Sequence, residues 1–178
     1  MVQYLGLDSM VRGMPADAPV EAFAREVIPC LTSAWLEDYT RSAPASDIVE
    51  TTTSGFSYLF DVASERLIAA WGVSQGRHGG PRDKSRMAGH PLSNGPLYHR
   101  GHAIPHTLGG PTDINLVPQL GSVNVGPFRE LERLAVATPG ALYYTYWTYG
   151  GTTGQTPTGV EQGLLVPGST PELRRHGN

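Results

Sequence analysis

The residues best suited to chemistry fall in one stretch of the chain. They run Tyr98-His99-Arg100-Gly101-His102, then Leu108-Gly109-Gly110-Pro111, then Asn115-Leu116-Val117-Pro118-Gln119, then Asn124 with Gly126, and finally Arg129 and Glu132. Hydrolysis of a phosphodiester needs a base to take a proton from water, a metal to offset developing charge, and cations around the phosphate. His102 suits the base, because imidazole titrates near neutral pH. Asn124 offers a neutral carbonyl oxygen, a hard ligand that suits Mg²⁺, an ion that keeps several of its waters. Glu132 adds a carboxylate and Arg100 a fixed positive charge. In isolation, Asn124 reads as a helix N-cap and Glu132 as a solvated charge. The set taken in order points to chemistry.

A helix over residues 125–137 would carry Glu132. If Asn124 starts it, Glu132 lies two turns on, and helical side chains lean back toward the N-terminus. Pro127 is tolerable in a first turn. Phe128, Leu131, Leu134 and Ala135 would be its buried face. Other patterns are weaker. His99, His102 and His106 invite a zinc cluster, but Pro105 lies among them and argues against one regular helix presenting all three. Gly79-Gly80 and Gly109-Gly110 lack the strand–GxGxxG–helix context of a phosphate loop. The aromatic run from Tyr143 to Tyr149 could stack on bases, but reads better as a core strand.

The ordered set closely resembles the DNA/RNA non-specific endonucleases, and most of all the branch found among bacterial toxin and DNase domains. The resemblance spans residues 97–166. It rests on Arg100-Gly101-His102, Asn115-Leu116-Val117-Pro118-Gln119, Asn124-x-Gly126 and Leu131-Glu132. It implies that His102 is the general base, that Asn124 binds Mg²⁺ (with Mn²⁺ as a substitute), and that Glu132 holds the ion's water shell. It further implies that Asn115 lies in the active site and that the fold is of the ββα-metal type. Three departures stand out. The family has Asp before Arg-Gly-His, where this chain has His99. It has Leu-Ile or similar after the histidine, where this chain has Ala103-Ile104-Pro105-His106. An Arg-Pro pair precedes its last strand, where this chain has Thr156-Pro157. Arg86 and Arg129 are candidates to replace that arginine. Residues 1–50 lie outside the resemblance.

The flanking elements give an α+β expectation: an antiparallel sheet with a ββα-metal catalytic unit and an N-terminal helical elaboration. The expected division is 1–50 for the elaboration and 51–170 for the nuclease domain. Val20, Phe23, Ala24, Val27 and Ile28 predict a helix over 16–28, which Pro29 should end, with a short second helix over 31–39. Residues 41–54 read as a linker. Residues 56–60 and 66–73 predict a hairpin, 74–96 a long loop, 141–149 and 159–166 two strands, and the tail from Pro167 a frayed end.

Composition bounds the rest. The chain has 178 residues, with 22 Gly and 15 Pro, which favours many turns over a helical bundle. Cys30 is the sole cysteine, so no internal disulfide can form, and it reads as a small buried hydrophobe. No stretch suits a membrane span or a cleaved signal, which leaves a cytoplasmic protein or one exported without such a signal. The net charge of −3 is mildly acidic for a nucleic-acid binder. However, residues 77–101 carry Arg77, Arg82, Lys84, Arg86 and Arg100 against Asp83 alone, and they lead into the candidate site. Arg82, Lys84, Arg86 and Arg129 are thus the expected substrate-binding cations. The expected partner is DNA, with RNA an alternative. An inhibitor or immunity protein would be needed if the chain is the toxic module of an interbacterial or phage-defence system. A catalytically silent nucleic-acid-binding domain is the competing class, and the intact trio of His102, Asn124 and Glu132 argues against it.

Overall fold

The computed structural model describes every residue except Met1, Arg82, Asp83, Lys84, His90, Leu92, Ser93 and Thr153. The fold is mixed α+β with antiparallel strand pairing throughout. Six strands form one sheet in the order β1-β2-β3-β6-β7-β8: β1 (Ile48–Thr53), β2 (Phe56–Asp61), β3 (Arg66–Val73), β6 (Leu142–Thr148), β7 (Gly159–Leu165) and β8 (Glu172–Gly177). Two more strands, β4 (Tyr98–His102) and β5 (Leu116–Leu120), pair with each other alone. Helices α1 (Leu7–Gly13) and α2 (Val20–Ser42) precede the sheet. Helices α3 (Gly121–Val125) and α4 (Phe128–Ala137) follow β5.

The period-2 alternation of strands gives the sheet two apolar faces. On β6, Tyr144 and Tyr146 point to one face and Tyr143 and Trp147 to the other, and all four are buried. The aromatic run is therefore core on both sides. Helix α2 covers the first face. Its Phe23, Val27, Leu31, Trp35 and Tyr39 recur every four residues and meet Leu59, Ile68, Trp71 and Leu142. Trp35 lies 6.1 Å from Tyr146 with nearly parallel rings and 5.5 Å from Trp71, distances at which aromatic pairs attract. The second face is covered by the segment after β4, by β5 and by α4, through Ile104, Val117, Phe128, Leu131 and Ala135.

Pro29 does not end the first long helix. α2 runs through it for 23 residues. Proline inside a helix costs about 3 kcal/mol or more, but this one is exposed, and the buried stripe on the opposite side continues without a break from Phe23 to Tyr39. Burial of those five large side chains outweighs one lost backbone bond. Cys30 is half-buried rather than buried. Two further expectations fail. Residues 48–53 form an edge strand and not part of a linker. The tail is not frayed: β8 pairs with β7 over six residues, and the Asn178 side chain receives the Leu120 N–H (2.8 Å) and donates to the carbonyls of Pro118 (2.9 Å) and Pro157 (2.8 Å). These three bonds tie β5 to the turn before β7.

The first face also buries a carboxylate. Glu161 on β7 is 4% exposed and accepts from Tyr4 Oη (2.5 Å), Tyr144 Oη (2.8 Å) and Arg175 Nε (2.5 Å). Tyr4 also accepts from Trp35 Nε1 at 2.7 Å, which links the N-terminal segment, α2 and the sheet. Glu161→Ala would leave buried hydroxyls without their acceptor. The expected loss is about 3 kcal/mol, since hydrogen bonds to charged groups are worth roughly 1.5–3 kcal/mol each. Urea unfolding should show a lower midpoint at an unchanged slope. A midpoint equal to that of the unaltered protein would show that the network contributes nothing net.

Candidate active site

The candidate residues are brought to the outer side of the second layer. β4 and β5 are antiparallel, with His99 opposite Gln119, Gly101 opposite Val117 and His102 opposite Leu116. Gly101 is required by this pairing: a Cβ there would meet the Gln119 Cβ at 2.7 Å. The glycine of Arg-Gly-His and the glutamine of Leu-Val-Pro-Gln therefore share one packing constraint. Chain direction then carries β5 straight into α3 and α4, which makes a ββα unit.

The helical part differs from the single helix expected. The chain breaks at Gly126-Pro127, so Asn124 belongs to the short α3 and Glu132 to α4. Gly126 admits the break because a Cβ there would sit 2.6 Å from the Ser122 carbonyl oxygen. In α4, Phe128, Leu131 and Ala135 face the core. Leu134 does not; it is 39% exposed, one position round the helix. Arg129, Glu132, Arg133 and Val136 follow the i, i+3, i+4, i+7 spacing and line the cleft instead.

That cleft has a volume of about 900 Å³ and gathers Arg100, His102, Asn124, Arg129 and Glu132. His102 ends β4 and is 5% exposed. Asn124 and Glu132 are half-buried. The Glu132 carboxylate lies near the core: after burial, it is the next cause that pushes the Tyr143 phenol well above its ordinary value. Arg77, His99 and Arg133 also line the cleft. None of the three was singled out as a site residue from the sequence. Arg133 was detectable, because it stands four residues after Arg129 on one helix. Arg77 opens the basic stretch of residues 77–101, but only the fold brings it from the long loop into the cleft. Among the described lining residues there are four arginines and one glutamate, so the cleft is cationic although the chain is acidic.

Asn115 is not brought to the cleft. It is wholly buried, and its side chain is occupied by backbone. Its Oδ1 accepts from the Ile104 N–H (2.7 Å), and its Nδ2 donates to the carbonyls of Ile104 (2.7 Å) and Pro111 (2.8 Å). The expectation that Asn115 sits in the site is corrected to a clamp on the segment that follows His102. Gly110 is held to the same clamp, since a Cβ there would meet Asn115 Nδ2 at 2.8 Å. Arg86 is also elsewhere. It pairs with Asp113 at 3.2 Å and lines a separate pocket of about 570 Å³, which Arg100 also lines. Of the two candidates to replace the missing arginine, only Arg129 is in the cleft. Arg82 and Lys84 lie outside the described residues. His106 is in the cleft, but its Nε2 is 3.2 Å from the Pro81 carbonyl oxygen and its ring packs edge-on to His78.

No family model matches the chain, and no curated protein sequence matches it. Two solved structures of NucA from Streptococcus agalactiae do resemble it, one with no metal bound and one with a magnesium ion bound. Each aligns at 13% identity and a TM-score of 0.51, over 82% of this chain and 88% of that one. At that identity the likeness concerns the fold alone.

The clamp is testable without reference to activity. Asn115→Ala should cost about 2–3 kcal/mol, the order expected when buried backbone groups lose their partner. The Ile104 amide should lose most of its hydrogen-exchange protection, while amides in β6 and β7 keep theirs at matched stability. Unchanged protection at Ile104 would contradict the clamp.

Proposed function

We propose that the chain is a metal-dependent endonuclease that hydrolyses phosphodiester bonds of DNA, and of RNA, with little sequence selectivity. The observation that carries this is the convergence of His102, Asn124, Glu132, Arg100 and Arg129 on one cationic cleft from β4, α3 and α4. The NucA fold and its magnesium-bound form support the same reading. On this reading the chemistry lies within residues 51–170.

The donor set suits Mg²⁺. Asn124 and Glu132 supply hard oxygen ligands, and among the described residues no group of three His, Cys, Asp or Glu could form a cage of side chains. An ion held by few protein ligands keeps its waters, which Mg²⁺ prefers. Asn124 and Glu132 would hold it, and once bound it supplies Lewis-acid stabilisation of the charge that develops on the phosphate. His102 takes the proton of the attacking water as the new O–P bond forms and the bond to the leaving oxygen breaks. Arg100 and Arg129 offset phosphate charge. With no base-reading element among the described residues of the cleft, contact with the backbone gives affinity without sequence choice.

His102→Ala should lower the initial rate on supercoiled plasmid by about 10²–10⁴-fold, the range for loss of a general base. Circular dichroism serves as the folding control, and a rate within about twofold of the unaltered protein would assign the base elsewhere. Excess chelator should abolish cleavage, and Asn124→Ala should lower kcat more than it raises KM.

A second test concerns the arginines. The Arg129→Ala, Arg133→Ala double variant should raise KM and make the salt dependence of binding shallower by about one to two in log–log slope, because each lost phosphate contact removes roughly 0.9. An unchanged slope would mean that nucleic acid does not pass over α4.

A further inference from the structure

Resting on the metal site proposed above, we infer that His99 is a positioning residue that sets the orientation of the Asn124 carboxamide. The His99 Nδ1 lies 3.3 Å from the Asn124 Nδ2, within hydrogen-bond reach. The two residues are 25 positions apart and come from β4 and α3. A carboxamide has one end that donates and one that accepts, and only the oxygen end can ligate a cation. With Nδ1 unprotonated, the His99 ring accepts from Asn124 Nδ2, and Oδ1 is left for the cation. Among the described residues, no other hydrogen bond distinguishes the two ends of the amide.

The ring itself is held in place. His99 Nε2 and Cε1 would lie 2.7 and 2.8 Å from a Cβ at Gly121, so the imidazole rests on the backbone at the first residue of α3. Glycine at 121 thus allows the ring to approach the helix that carries Asn124. Gly121 is fastened in turn by its N–H to the Leu97 carbonyl (2.8 Å), one residue before β4. The backbone of the strand and the helix is therefore fixed at one end of the contact, and the side-chain pair aligns the other. His99 is exposed, so its replacement should leave the fold intact.

The test is calorimetric titration with Mn²⁺ at one pH and one salt concentration, on the full chain and on His99→Ala and His99→Asn. In His99→Asn, the Oδ1 occupies the place of Nδ1 and accepts the same bond. His99→Ala should bind Mn²⁺ about tenfold more weakly, the low end of the 10–100-fold range for partners that orient a metal ligand. His99→Asn should stay within about threefold of the unaltered protein by the same measure. Thermal unfolding of the metal-free proteins should coincide. In the plasmid assay, His99→Ala should lower kcat and leave KM for nucleic acid unchanged. If the unaltered protein binds Mn²⁺ and His99→Ala binds it equally well, the inference fails and the metal site stands. If both variants lose binding altogether, His99 is itself a ligand and the positioning role is overturned. If the unaltered protein binds no Mn²⁺, the metal site fails and the inference with it.

Discussion

The middle of the six-stranded sheet has to be dry on both sides. Tyr143, Tyr144, Tyr146 and Trp147 alternate along β6, and each is at most 1% exposed, so neither face can be left to water. Two covers are therefore obligatory. On one side the cover is α2, a helix long enough to span the sheet because its Phe23-to-Tyr39 stripe is worth more than the backbone bond lost at Pro29. On the other side the cover is the ββα unit, which buries Ile104, Val117, Phe128 and Leu131 against Tyr143 and Trp147. The candidate chemistry lies on the outside of that second cover. The helix that seals the sheet with Phe128 and Leu131 presents Arg129, Glu132 and Arg133 on its other side.

Placement of His102 depends on a smaller constraint. His102 ends its strand, and the next eight residues return the chain to Pro111 without regular structure beyond one 3₁₀ turn at His106–Leu108. Asn115 substitutes for a missing strand partner there, satisfying the Ile104 backbone at both N–H and C=O and the Pro111 carbonyl. A buried amide that meets three backbone groups costs little to desolvate and a great deal to remove. This accounts for asparagine in the Asn-Leu-Val-Pro-Gln run without giving it a part in the chemistry. The charge pattern follows a similar economy. Acidic residues are spread over the first 76 positions, while four arginines from a loop, a strand and a helix converge on one cleft, so local potential and net charge differ in sign.

Much of this was legible in the sequence, and the exceptions have physical reasons. The hairpin of β2 and β3 and the aromatic strand β6 follow from alternation and β-propensity, and motif order singled out His102, Asn124 and Glu132, which the fold brings to one cleft. β1 was missed because five of its six residues are exposed on a sheet edge, so it carries no apolar alternation. β8 was missed for the same reason, with Arg174, Arg175 and His176 in a strand that alternates only between half-buried and exposed. The persistence of α2 through Pro29 depends on tertiary packing, which local preference cannot register. The break at Gly126-Pro127 was written in the sequence, but a proline in a first turn is so readily accommodated that a single helix was the simpler reading. Asn115 was assigned to the site because it lies within the motif, and only its contacts reveal it as a strut. His99 was noted as a departure in the motif, and its significance came only with the contact to Asn124.

On the proposed reading, Asn124 and Glu132 hold a divalent ion beside His102. The most direct test is anomalous diffraction from crystals soaked in Mn²⁺. One strong peak is expected in the cleft at bonding distance from Asn124 Oδ1 and beside Glu132, absent from crystals of Asn124→Ala. A cleft without a peak in crystals of a protein that cleaves DNA only with Mn²⁺ or Mg²⁺, or a peak bound elsewhere on the molecule, would contradict it.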